Sequence, residues 1–102
     1  MTFLMIQIIH RDIEKVNAIV SSLFEKKLIV DCNIIPSENL SFENGHLKTN
    51  TKILINVQAN MNDWLKINNE ISLLCPNETI PIIRLEVSSN QKYEQRFYNN
   101  YE

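Results

Sequence analysis

The chain has 102 residues, of which 44% are hydrophobic, and its ten basic residues stand against twelve acidic ones. This length suits one folded domain over residues 1–102, and the net charge of −2 excludes a general nucleic-acid binder, because such proteins need a basic surface that displaces counterions. Gly45 is the only glycine, which excludes the glycine-rich loops that cradle phosphate groups.

Residues 2–9 are hydrophobic at nearly every position, which predicts a strand buried on both faces in the centre of a sheet. Asp12 then offers an N-cap, and apolar residues at helical spacing from Ile13 predict a helix through Lys27. No basic residue precedes the strand, and no run approaches the ~18 apolar residues of a membrane helix. We therefore expect no signal peptide, no membrane segment, a cytoplasmic location and reduced cysteines.

Residues 28–36, LIVDCNIIP, form the second predicted strand and the segment around which we expect the fold to be organised. Alternation gives this strand one wholly apolar face and a second face on which Asp31 and Asn33 stand between two isoleucines. The pattern is typical of a central strand that packs on helices through its apolar face.

Residues 37–50 are polar and carry Asn44–Gly45, the strongest short signal of a two-residue hairpin turn. They connect the second strand to a third strand at residues 51–59, and we expect the connection to stand off the body of the protein. Further along, apolar spacing predicts a second helix over residues 61–74 and a fourth strand over residues 79–88.

The last segment, residues 90–102, carries Tyr93, Phe97 and Tyr101 four residues apart, which predicts a short closing helix. The element order is then βαββαβ plus a tail. With right-handed crossovers this order predicts an α+β, ferredoxin-like sandwich, in which two helices cover one face of a four-stranded antiparallel sheet. The other face also carries apolar residues, and a bare face of that kind marks an interface. We expect sister chains to cover it; the alternative is cover by residues 90–102 of the same chain.

Soft metal ligands are few, namely Cys32, Cys75, His10, His46 and the methionines. None has the spacing typical of metal sites, so each cysteine also fits the role of a small buried hydrophobe. Asp31 lies in a mostly apolar strand, where a carboxylate needs hydrogen bonds or solvent. It either contacts a cation or polar ligand at a subunit boundary or lies at a solvated sheet edge.

Spacing supports no cysteine–histidine nucleophile pair and no acid–base constellation, so we predict that the protein is not an enzyme.

The segment 23–36, LFEKKLIVDCNIIP, resembles the first helix–strand junction of the CutA divalent-cation-tolerance family. Three shorter matches follow in the same order: the tryptophan-then-glycine hairpin at Phe42 and Gly45, the HPYEVPEII segment at residues 75–83, and the closing GN-x-x-Y-x-x-W at Asn90, Tyr93 and Phe97. The polar signature differs. The family's cysteine falls on Asp31, with Cys32 one place later, and its histidine before proline becomes Cys75.

The resemblance implies a tightly packed homotrimer whose sheets meet around a threefold axis. It further implies a role in divalent metal tolerance, with copper or another divalent cation bound in clefts between subunits. Asp31, Cys32 and Cys75 are the candidate metal ligands on this interpretation. The alternative is a module like the PII-type regulators, trimers of the same architecture whose long loop touches partner proteins. Residues 37–50 are placed to bind a protein partner in that way, without metal.

Overall fold

A computed structural model describes residues 2–99 of the chain. Four strands form one antiparallel sheet in the order β2-β3-β1-β4. The strands are β1 (Phe3–His10), β2 (Asp31–Glu43), β3 (His46–Ala59) and β4 (Ile82–Val87). The helices are α1 (Ile13–Glu25), α2 (Trp64–Leu74), which follows a 3-10 turn at Met61–Asp63, and α3 (Gln91–Asn99). This βαββαβ order with a closing helix is the predicted ferredoxin-like sandwich, and β1 has the predicted central place.

The core lies between the sheet and the two long helices, because alternate strand residues face those helices. Leu4, Ile6 and Ile8 of β1 are buried on this side, and His10 ends the same row at 8% exposure. The neighbouring strand and the helices supply the rest of the core: Ile55, Val57 and Ala59 from β3, Val16, Ile19 and Leu23 from α1, and Ile67 and Ile71 from α2. No helix among residues 2–99 has the length and hydrophobicity needed to cross a membrane.

The start of β2 differs from the prediction, because α1 ends in a Schellman-type cap. Lys27 adopts a positive φ of 58°, and the N–H of Leu28 donates to the Leu23 carbonyl at 2.9 Å. The helix therefore ends two residues before its predicted end. Leu28 and Ile29 enter the core from a loop, and β2 begins only at Asp31.

The central position predicted for β2 is wrong, since β2 lies at the edge of the sheet. It also continues through Pro36 to Glu43. An edge strand tolerates proline because the N–H on its outer side has no partner in the ladder. β2 and β3 stay paired up to the turn, so residues 37–50 form a two-stranded ribbon. Asn44 and Gly45 make the predicted turn, with φ of 53° and 78°.

The second sheet face is covered at one end by α3. The ring of Phe97 stacks on Phe3 with centroids 4.7 Å apart, and the Tyr93 hydroxyl donates to Oε1 of Gln58. Tyr101, the third residue of the predicted aromatic stripe, lies outside the described residues. Elsewhere on this face exposed apolar side chains remain, among them Met5, Ile35, Ile83 and Leu85. Cover by the tail of the same chain thus accounts for one end of the face only.

Candidate metal centre at the end of the central strand

Three potential metal ligands meet where β1 ends: the imidazole of His10, the thiol of Cys75 and the carboxylate of Glu78. One ligand atom from each lies within 4.8 Å of the other two. His10 and Cys75 are buried and Glu78 is exposed, so the cluster faces solvent on the Glu78 side. Within residues 2–99 no other group of three histidine, cysteine or acidic side chains converges in this way.

The sheet order explains why these residues meet. β1 and β4 are antiparallel, so the end of β1 lies beside the start of β4. β4 begins at Ile82, later than the predicted start at residue 79, which leaves residues 75–81 as the loop that leads into it. The N–H of Ile9 donates to the Pro81 carbonyl at 3.2 Å and holds this loop against β1. Cys75 is the C-cap of α2, and its side chain is buried near His10 at the end of β1.

His10 has a hydrogen-bond partner at each ring nitrogen. Nδ1 accepts the backbone N–H of Asp12 at 3.0 Å, so the proton of the neutral ring lies on Nε2, which is 2.8 Å from Oε1 of Glu78. Asp12 also caps α1, because its side chain accepts the N–H of Glu14 at 2.9 Å. The start of α1 thus orients the ring and fixes the tautomer whose Nε2–H faces Glu78.

The ionisable groups of the cluster shift one another's pKa values. Burial raises the pKa of the Cys75 thiol, and its hydrogen bond to Glu78 raises that pKa further. The hydrogen bond from His10 lowers the pKa of the Glu78 carboxyl. At neutral pH the thiol is therefore protonated and the carboxylate is charged. A protonated, buried thiol is a weak nucleophile, but it becomes a strong ligand when a cation displaces its proton.

The donor set fits a borderline or soft divalent cation. One sulfur, one imidazole nitrogen and one carboxylate oxygen suit zinc and copper, whereas magnesium and calcium prefer sites made of oxygen alone. The thiolate and the carboxylate together would balance the two charges of such an ion. Three protein ligands also leave a further position for a small external ligand.

Of the three ligands predicted from the resemblance, the structure brings only Cys75 into this cluster. Asp31 and Cys32 start β2, and Cys32 pairs with Val57 of β3. Val57 in turn pairs with the β1 residue four positions before His10, which puts about 13 Å of strand between the two places. A metal-binding role for Asp31 and Cys32 stays a prediction.

The surroundings of Asp31 match the solvated-edge alternative. Asp31 is exposed at the start of the edge strand, and its carboxylate accepts the backbone N–H of Cys32 at 2.8 Å. Cys32 is half-buried. Its pKa is raised first by burial and then by the charge of Asp31.

Sequence reasoning missed His10 and Glu78 as partners of Cys75, because His10 and Glu78 are 68 positions apart and no motif spacing links them. The signal that was available was topological. A βαββαβ sheet pairs the first and last strands in antiparallel fashion, so the end of the first strand meets the loop entering the last one. His10 and Glu78 occupy those two places.

Known proteins match this chain in fold but not in sequence. No protein-family model and no curated protein sequence matches the chain. Solved structures do match: the periplasmic divalent cation tolerance protein CutA of Archaeoglobus fulgidus superposes with a TM-score of 0.82 at 19% identity, covering 100% of both chains. CutA1 of Ehrlichia chaffeensis superposes with a TM-score of 0.83 at 20% identity, covering 98% of this chain and 95% of that one. The divalent cation tolerance protein of Thermus thermophilus reaches 0.80 at 20% identity, covering 98% of each chain.

Superpositions at identities this low establish a shared backbone fold, and they carry no assignment of ligand-binding residues. They confirm, at the level of the fold, the resemblance carried by the segment 23–36 and the shorter matches that follow it. This chain has the fold of the CutA divalent cation tolerance proteins.

Proposed function

We propose that the chain is a divergent CutA-like protein that binds a divalent cation through His10, Cys75 and Glu78. The observation that carries this proposal is the convergence of three chemically different ligand atoms within 4.8 Å. Proteins of the same fold are named for divalent cation tolerance, which supports a role in metal tolerance. Copper and zinc are the cations to test first, because both accept thiolate and imidazole ligands.

Each residue has its own part in binding. Cys75 releases its proton and supplies a soft, charged ligand. His10 would supply Nε2 after the ring proton moves from Nε2 to Nδ1, a change that gives up the hydrogen bond from the N–H of Asp12. Oε1 of Glu78 lies 2.8 Å from that nitrogen, and the two groups would give up their hydrogen bond to hold a cation between them.

Isothermal titration calorimetry with zinc, and separately with copper, tests the proposal. Cys75→Ala removes the proposed sulfur ligand, and Cys32→Ala is the matched control at the other cysteine. We expect saturable binding in the wild type and in Cys32→Ala, and a large loss of affinity in Cys75→Ala. Absence of binding heat in the wild type for both metals would overturn the proposal. A loss in Cys32→Ala alone would move the site to the start of β2.

We propose further that the working unit is a cytoplasmic homotrimer without enzymatic activity, in which sister chains cover the open sheet face. Ile83 is 52% exposed and Leu85 is 63% exposed on that face, and exposed apolar area of this kind favours association. Native mass spectrometry should show three 12.0 kDa chains together. Leu85→Lys should shift the population to folded monomer. A stable lone subunit of the wild type at micromolar concentration contradicts the trimer.

A second candidate function, partner binding in the manner of the PII-type regulators, has separate support in the ribbon at residues 37–50. Phe42 pairs with Leu47 across the ribbon, and Leu40 lies two residues away on the same face. Phe42 is 76% exposed, which is unusual for a side chain of this size. Replacing Phe42 and Leu47 by serine should remove partner proteins recovered in a pulldown. An unchanged set of partners counts against this function.

A further inference from the structure

A cavity of about 440 Å³ opens beside the proposed metal centre. Its polar wall contains His10, Arg11, Lys52, Glu78 and Thr79, and Ile80 and neighbouring residues form an apolar wall. Arg11 and Lys52 are the two basic residues among the described residues of this lining. The cavity lies at the same end of the sheet as the metal centre and is open to small molecules.

The sheet register brings the two basic residues of this cavity close together. His10 pairs with Ile53 at the end of the β1–β3 ladder, so Arg11 and Lys52 are the next residues on the two antiparallel chains. Like charges in facing positions repel each other. The fold thus places two basic residues in the lining of one cavity.

Neither basic side chain is neutralised within the part of the chain that the structure describes. Among residues 2–99, Arg11 and Lys52 form no ion pair. Glu78 is the one acidic residue among the described residues of the cavity wall, and its carboxylate is hydrogen-bonded to His10. Lys15, whose Nζ donates to the Leu74 carbonyl at 3.1 Å, adds a positive field at Cys75 and Glu78.

We infer that this cavity binds a small oxyanion and that oxyanion and metal binding support each other. Arg11 offers a fork of N–H donors, Lys52 a compact charge and Thr79 a hydroxyl, a set that matches sulfate, phosphate or carboxylate oxygens. Recognition here depends on side chains, so it needs no glycine-rich loop.

The coupling follows from the charge balance and rests on the proposed function. A divalent cation is balanced by the thiolate of Cys75 and the carboxylate of Glu78, which leaves the charges of Arg11 and Lys52 uncompensated. Those charges oppose the approach of a cation. An oxyanion between them removes that opposition, and by linkage the cation strengthens anion binding by the same factor.

Sulfate titration of the metal-free protein, followed by amide chemical shifts, tests the cavity alone. Sodium chloride at equal ionic strength is the reference, and parallel titrations with phosphate and acetate separate tetrahedral anions from carboxylates. We expect saturable shifts at Arg11, Lys52 and Thr79. The double variant Arg11→Gln/Lys52→Gln should lose them, and Lys48→Gln, which removes an exposed ribbon amine paired with Glu43, should keep them. Shifts that persist in the double variant, or no saturable shift with any anion, overturn the oxyanion site.

Zinc titration in sulfate and in chloride, again at equal ionic strength, tests the coupling. We expect zinc to bind about 5-fold more tightly or better in sulfate, the lower end of usual coupling between sites, and this gain should vanish in the double variant. Equal zinc affinity in both salts overturns the coupling. Sulfate shifts in a protein that binds neither zinc nor copper uphold the oxyanion site and overturn the coupling together with the metal centre.

Discussion

The two cysteines of this chain lie at different levels of the sheet, Cys32 level with Ile6 of β1 and Cys75 beside His10 at the end of that strand, and their surroundings differ. Cys75 is 3% exposed and lies against His10 and Glu78, which strand ends and loops bring together. Cys32 is half-buried at the end of the sheet that α3 covers, next to the exposed Asp31. Burial raises the pKa of both thiols. The reactivity of a cysteine depends on its neighbours, and among the described residues only Cys75 converges with two other potential metal ligands.

The same division holds for the rest of the two ends. At the α3 end, aromatic rings pack on Phe3 and the polar atoms of Tyr93 and Gln58 bond to each other. At the His10 end, the ionisable side chains of His10 and Glu78 pair in the wall of a cavity. We interpret the first end as structural and the second as functional, and the following experiments test that division.

The largest effect should come from Phe97→Ala at the α3 end. Phe97 is 2% exposed and stacks on Phe3, so its truncation should lower the free energy of unfolding by about 3–5 kcal/mol. Urea unfolding measures this loss. The exposed Leu73→Ala should stay within about 0.5 kcal/mol of the wild type. Zinc affinity of folded Phe97→Ala should match that of the wild type; a parallel loss of affinity would show that the two ends are not separate.

Next in size is the effect of His10→Gln on zinc affinity. Loss of an outer partner of a metal ligand already lowers affinity by about 10–100-fold, so loss of the ligand itself should exceed about 100-fold in a calorimetric titration. His46→Gln is the matched control, because His46 is exposed next to the ribbon turn. If both variants bind zinc as the wild type does, His10 is not a ligand.

The effect of pH on zinc affinity should be smaller than the effect of His10→Gln, and it should depend on Cys75. Below the raised pKa of Cys75 the thiol carries a proton that the metal must displace, whereas Glu78, with its lowered pKa, is already ionised. Zinc affinity should therefore rise with pH by about tenfold per unit for that one proton, from about pH 6 to 8. Cys75→Ser should show a shallower slope. A slope that is unchanged in Cys75→Ser would assign the proton to another group.

The smallest effect should come from Tyr93→Phe at the α3 end. The substitution removes one hydrogen bond to Gln58 and leaves the ring in place, so it should cost about 0.5–1.5 kcal/mol of unfolding free energy. Its zinc affinity should equal that of the wild type. Urea unfolding and zinc titration of the same sample check both points. A change in zinc affinity would show that the two ends of the sheet are not independent.

Local patterns predicted the number, type and order of the strands and helices, and the Asn44–Gly45 turn. They failed where neighbours in space decide the outcome. The positive φ of Lys27 delays β2 to Asp31, because a helix cap needs residues that the apolar pattern assigns to the strand. Pro36 does not end β2, because an edge strand has no partner on that side.

By itself the sequence determined the succession of elements, because apolar spacing along the chain sets the type of each one. Only the tertiary structure decided that His10, Cys75 and Glu78 share one site and that Cys32 does not belong to it. The reason is physical: periodicity is a property of neighbours along the chain, whereas a ligand cluster depends on strand pairing between positions as far apart as residues 10 and 78.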